Sequence, residues 1–201
     1  MEVSGNYYGF RRAGASLVLA AWLVLSGACH DPDPRSIEGA LDAASRAIAA
    51  RDTAQLFRVV DQRARHALAS IVKDRREAAG LVARDYPVSE RASALAALGD
   101  AASVRDAVAL FAQRCDAACI EDLGRRIGAP ASTEAAGDET VVHTARGETL
   151  RLHHGDDGWW GLVWNTAALS QERDRAAQDL AQIRANAEIY RKKRALEADA
   201  R

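Results

Sequence analysis

From Ser36 onward the apolar residues of this chain return at helical spacing, and a large share of them are alanines. Ile37, Ala40, Leu41, Ala44 and Ile48 make one stripe, with Ser36 placed to cap it. Alanine fills 44 of the 201 positions, against four tryptophans, four tyrosines and three phenylalanines. Bulky side chains are therefore too scarce to fill a large β-sandwich or barrel. The expected class is α+β, predominantly helical.

The capping-box pattern Asp52-Thr53-Ala54-Gln55 precedes Leu56, Phe57, Val59 and Val60, and the stripe resumes at Ala64, Leu68, Ile71 and Val72. One long helix or two kinked ones would fit. Tyr86-Pro87 ends this run, because the residue before proline is pushed out of the α region. A helix over Ser89 to Leu98 follows, closed by Gly99. The next opens at Ser103-Val104-Arg105-Asp106 and places Val104, Val108, Phe111 and Cys115 on one face, and a helical turn spans Ile120 to Ile127.

Between Gly128 and Asp138 no apolar period survives, which reads as a linker or surface loop. Thr140 to Ala145, Thr149 to His153 and Trp159 to Trp164 then read as a small three-stranded antiparallel meander (about 140–164), with hairpin turns between the strands. Alternation sets Trp160, Leu162 and Trp164 on one face and Trp159, Gly161 and Val163 on the other. Trp159, Trp160 and Trp164 are thus the candidate pocket or partner surface. From about 168 to 198 a long C-terminal helix carries Leu169, Ala176, Ile183 and Tyr190 seven residues apart, with Leu180 and Ala187 between. Arg173 and Arg194 interrupt the seam, so docking on the chain's own body is expected in place of a free coiled coil. Arg191-Lys192-Lys193-Arg194 reads as a solvated helix end. Residues 36–201 are expected to form a single helical domain with a small sheet.

The N-terminus has a different grammar. Leu17 to Leu25 is an apolar run preceded by Arg11-Arg12 and closed by Ser26-Gly27-Ala28 before Cys29, the layout of a secretory signal over 1–28. The run is about half the ~20 residues needed to span a bilayer. Leu25-Ser26-Gly27-Ala28-Cys29 resembles the lipobox of bacterial lipoproteins, with Ser26 where that family usually has leucine. The resemblance implies lipidation of Cys29, which becomes the mature N-terminus, followed by a proline-interrupted tether over 29–35. It also implies a periplasm-facing protein, on the outer rather than the inner membrane because His30 and not aspartate follows the cysteine. Net charge is −1, and removal of the signal leaves the exported portion mildly acidic, so no nucleic-acid partner is expected. The partners expected are the membrane, through the lipid, and an envelope protein.

Chemistry-bearing residues are few. With Cys29 assigned to lipid, Cys115 and Cys119 form an even pair, which in an exported protein is a disulfide. Bridging them requires Asp116-Ala117-Ala118 to leave regular helix. The redox alternative normally has two intervening residues beside a βαβ unit. His143, His153 and His154 lie near Asp156 and Asp157, but His153 and His154, as neighbours in a strand, point to opposite faces. They read as surface histidines beside a turn, and His66 as part of a solvated Arg-rich face. No catalytic residue, metal site or cofactor is expected.

Two phrases, Ile48-Ala49-Ala50-Arg51-Asp52-Thr53-Ala54-Gln55-Leu56-Phe57 and Gly158-Trp159-Trp160-Gly161-Leu162-Val163-Trp164, resemble NTF2-like domains of small secreted lipoproteins. The resemblance implies a hydrophobic pocket between helices and sheet for a small apolar ligand, with catalysis in only some members. The long helical middle departs from that family, as does the missing fourth strand. The leading expectation is a non-enzymatic, lipid-anchored envelope protein that binds or scaffolds a partner, and the alternative is a pocket protein of the NTF2-like kind. A closed apolar core favours the first; a deep cavity lined by Trp159, Trp160 or the histidines favours the second.

Overall fold

The computed structural model describes residues 33–200, so the apolar run, the lipobox-like segment and Cys29 lie outside the described residues. Helix α1 (Ile37–Ala49) begins where the Ser36 hydroxyl accepts the Gly39 N–H at 3.0 Å. It ends in a Schellman turn, in which Arg51 N–H donates to Ile48 O and Asp52 N–H to Ala47 O. Asp52 then caps α2 (Thr53–Val59) through Gln55 N–H at 2.9 Å.

The hydrophobic run after Asp52 is two helices. Val60 is extended and bridges Leu162 in parallel, and Asp61 N–H donates to Leu162 O at 2.8 Å, which interrupts the helix before α3 (Gln62–Asp85). Next come α4 (Val88–Ala97), a 3-10 turn at Asp100–Ala102, α5 (Ala107–Arg114) and α6 (Ala117–Arg126).

The sheet has four strands where three were expected: β1 (Pro130–Ala136), β2 (Glu139–Thr144), β3 (Thr149–His154) and β4 (Trp160–Leu162), antiparallel in that order. The segment read as a linker is β1. It is an edge strand with no buried residue, so neither face imposes an apolar alternation, and only its pairing with β2 makes it a strand. Helix α7 (Thr166–Asp199) starts two residues before the expected boundary and closes the chain.

The sheet presents Val142, Leu150, Leu152 and Leu162 to the helices, where they meet Leu41, Leu56, Leu68 and Phe111 in one core. Phe111 stacks against Phe57 at 5.6 Å and edge-on against Trp164 at 4.9 Å. Fully buried alanines such as Ala40, Ala44 and Ala64 let the backbones approach closely around these few large side chains.

Helices α3 and α7 run side by side in the same direction. Asp61 meets Thr166 at their start, and Asp85 meets Arg194 at their far end. Two small clusters seal the seam, Ala78 with Leu98 and Leu180, then Val82 with Tyr86 and Ala187. Ion pairs Arg75–Asp179 and Glu77–Arg184 flank it. The basic cluster at 191–194 is exposed, as expected of a solvated helix end, but Arg194 also makes a specific contact. Its guanidinium donates to Asp85 O at 2.8 Å and to Asp85 Oδ1 at 3.2 Å, capping the C-terminus of α3 and compensating a buried carboxylate at the negative end of the helix dipole.

Because Ala187 is fully buried between Val82 and Tyr86, Ala187→Leu should overpack the seam and cost about 1–3 kcal/mol. Ile189→Ala, on the exposed side of α7, should stay within about 0.5 kcal/mol. Urea melts of the two variants measure the difference, and equal midpoints would refute the seam.

A second expectation concerns acid. The bidentate pair of Arg114 with Glu172 ties α5 to α7, and the hydrogen bond from Arg114 holds the Glu172 carboxyl below its usual range. Such a group stabilises the fold above the unfolded carboxylate pKa, and that contribution is lost as pH falls through the lowered one. Glu172→Gln should therefore flatten the fall in urea midpoint below about pH 4.

Candidate functional site

The most unusual side chain in the body is Asp61, a carboxylate with no exposed surface. As N-cap of α3 it accepts Arg63 N–H at 3.0 Å through Oδ1, while Oδ2 accepts Arg63 Nε at 2.9 Å and the Thr166 hydroxyl at 3.2 Å. It is covered because β4 lies directly on the Val60-Asp61 backbone. A Cβ at Gly161 would stand 2.7 Å from Asp61 Cα, so glycine alone permits the approach.

Arg63 extends the network, donating to Asp138 and Glu139 at 2.8 Å each, and Arg151 reaches the other Glu139 oxygen at 3.2 Å. Burial opposes the Arg63 charge, but the bonds to Glu139 and Asp61 outweigh it and raise its pKa further. His153 sits against this group with Nδ1 3.3 Å from Asp61 Oδ1, and that nitrogen is buried without a hydrogen bond. The turn after β3 is tied to the same helix start, since Arg65 pairs with Asp157 at 3.0 Å and Gln62 Oε1 accepts Asp156 N–H at 3.0 Å. The arrangement clamps α3, α7 and the sheet. Among the described residues no three His, Cys, Asp or Glu side chains converge to hold a metal ion.

The histidines divide. His143 and His154 are exposed, as expected, but His153 shares its face with Arg151 and Glu139 and turns inward onto Asp61. Strand alternation placed His153 and His154 on opposite sides correctly. What it missed is that the second side is covered by the start of α3.

The three tryptophans do not share a pocket. Trp164 is buried on Phe111, Trp160 is half-buried at the rim beside His154 with its backbone N–H donating to Pro34 O, and Trp159 is 42% exposed. Trp160 is thus not a fully enclosed core residue, because β4 spans only three residues at the sheet's end. The best-formed clefts among the described residues, of about 310–650 Å³, are lined by other residues than these tryptophans and the histidines.

Cys115 and Cys119 are joined in a disulfide with Cα atoms 5.0 Å apart. The helix breaks as bridging requires: α5 ends at Arg114, Cys115 leaves the helical region, and Asp116 restarts α6 by accepting Cys119 N–H at 3.0 Å. Cys115 forms part of the wall of a cavity of about 650 Å³ between the end of α1, α5 and α6. Its interior includes Ile48, Ala112 and Ile120, and Arg51, Arg125 and Arg146 stand around it. Gly124 lets α6 close on α1, where a Cβ would lie 3.2 Å from Ile48 Cγ2. Three distant segments build this cavity, and the only local hint was an arginine at position 51, where a helix C-terminus usually has glycine.

With this geometry in hand, comparison against family models, curated proteins and solved structures returns no significant match.

Gly161→Ala should push β4 off Asp61 and cost about 1–3 kcal/mol. Gly80→Ala, on α3 with open space around it, should stabilise by up to about 1 kcal/mol. Opposite shifts in melting temperature are the expected result.

Proposed function

We propose that the chain is a lipid-anchored protein of the bacterial cell envelope, attached through Cys29 and non-enzymatic, whose folded body binds or scaffolds an envelope partner. The observation that carries the binding role is the filled helix–sheet interface. Phe111, Trp164, Leu152 and Leu162 occupy the space where the NTF2-like resemblance would put an apolar ligand. A closed core of this kind leaves recognition to the surface. Large apolar side chains stand exposed on α4 and the distal half of α7, with Val88 at 78%, Ile189 at 62% and Leu196 at 71%. Among the described residues no helix is long and apolar enough to cross a membrane. Attachment in this reading rests on the acyl chains, each buried CH₂ contributing about 0.8 kcal/mol.

Cys29→Ser should release the protein from the membrane. Fractionation with a carbonate wash tests it, and retention in the pellet would place the anchor elsewhere. For the binding role, Ile189→Ser with Leu196→Ser should reduce crosslinking to the envelope partner in intact cells at unchanged urea midpoint. Undiminished crosslinking would remove the distal end of α7 from the interface.

A further inference from the structure

Arg51 holds φ at +52°, a left-handed conformation that side-chain-bearing residues adopt reluctantly. The position is the C′ residue of the Schellman turn closing α1, where glycine is the usual occupant and would relieve the strain. The arginine therefore weakens the turn it sits in, and its guanidinium forms no ion pair or hydrogen bond with any described residue. It does line the cavity between α1, α5 and α6.

The other charges around that cavity have defined partners. Arg125 is neutralised by Asp122 at 2.9 Å and Glu121 at 3.6 Å, and the Asp116 carboxylate is used as the α6 cap. Arg146 donates to the carbonyls of Gly124 and Arg125 and has no carboxylate opposite it. Those bonds orient its guanidinium at the C-terminal end of α6 and leave its charge uncompensated by any side chain. Two cations that form no ion pair with a described residue thus share a cavity lined also by Ile48, Ala112, Ile120 and one capping carboxylate, Asp116, so that cations outnumber carboxylates around it, with the Cys115–Cys119 bridge holding α5 and α6 together beside it. A volume of about 650 Å³ is that of a small-molecule site.

We propose that this cavity binds a small anionic amphiphile, a short acyl chain or similar apolar body ending in a carboxylate or phosphate, with Arg51 and Arg146 holding the anion and Ile48 and Ile120 the apolar part. Guanidinium groups suit both head groups, since their fork of donors matches carboxylate and phosphate oxygens. The site is separate from the helix–sheet interface and independent of the anchored-binder reading.

The test uses the full chain in lipid nanodiscs, with isoleucine methyl NMR as a local readout and octanoate, octyl phosphate and octylammonium as probes. The two anions should shift the Ile48 and Ile120 methyls saturably, the tighter of them naming the head group, while octylammonium leaves both unmoved. Arg51→Gly should weaken anion binding about tenfold or more, the usual worth of a charge-assisted hydrogen bond, while its melting temperature holds or rises. Arg146→Gln should weaken binding similarly, and added salt should lower affinity in the parent chain. No methyl shift with either anion, equal shifts with octylammonium, or unchanged affinity in Arg51→Gly would each overturn the proposal.

Discussion

The fold depends on one close approach, the passage of Val60-Asp61 across Gly161 of β4. This contact sets Asp61 and Arg63, at the start of α3, against the face of the sheet that carries His153 and Glu139, while Leu68 further along α3 joins the other helices on the core face. It also buries Asp61. A buried carboxylate is tolerable only when its oxygens are filled, and Arg63, Thr166 and the α3 N-terminus fill them. Because those partners come from α3 and α7, the same group sets the parallel alignment of the two helices at their common start.

From there the α3–α7 pair extends away from the sheet on a seam of small residues. Alanines bring backbones close but bury little apolar area each, and the seam is correspondingly supplemented by arginine pairs along its edges. Arg194 shows how arginine is used where aromatics are scarce. One guanidinium caps a helix, neutralises Asp85 and fixes the far end of α7. These arginines have structural uses that a count of charges would not reveal. Arg51 stands apart from them, because its position loses backbone stability and its guanidinium makes no ion pair or hydrogen bond with any described residue.

Much of the helical architecture was legible in the residue order because it rests on local chemistry. Ser36, Asp52, Asp106 and Asp116 cap helices by bonding N–H groups three residues on, and Pro87 prevents α3 from continuing. The disulfide was legible for a related reason, since two cysteines four apart can meet only where a helix breaks, and Asp116 supplies the break. The faces of Gly161 and Leu162 followed from strand alternation. Strand β1 was not legible, because an edge strand exposed on both faces has no pattern to read.

The sequence by itself determined where the helical segments lie, the caps Ser36 and Asp52, two of the three hairpin turns of the sheet, the pairing of Cys115 with Cys119 and the predominantly helical α+β class. All of these depend on interactions spanning few residues or on side-chain periodicity. Only the tertiary structure decided that His153 faces a buried Asp61, that Trp164 and not Trp160 is the enclosed ring, and that Arg51 and Arg146 meet at one cavity. Those outcomes depend on which segments, distant in the chain, come to lie against each other. Periodicity assigns a residue to a face, but what covers that face is set by packing across the whole body.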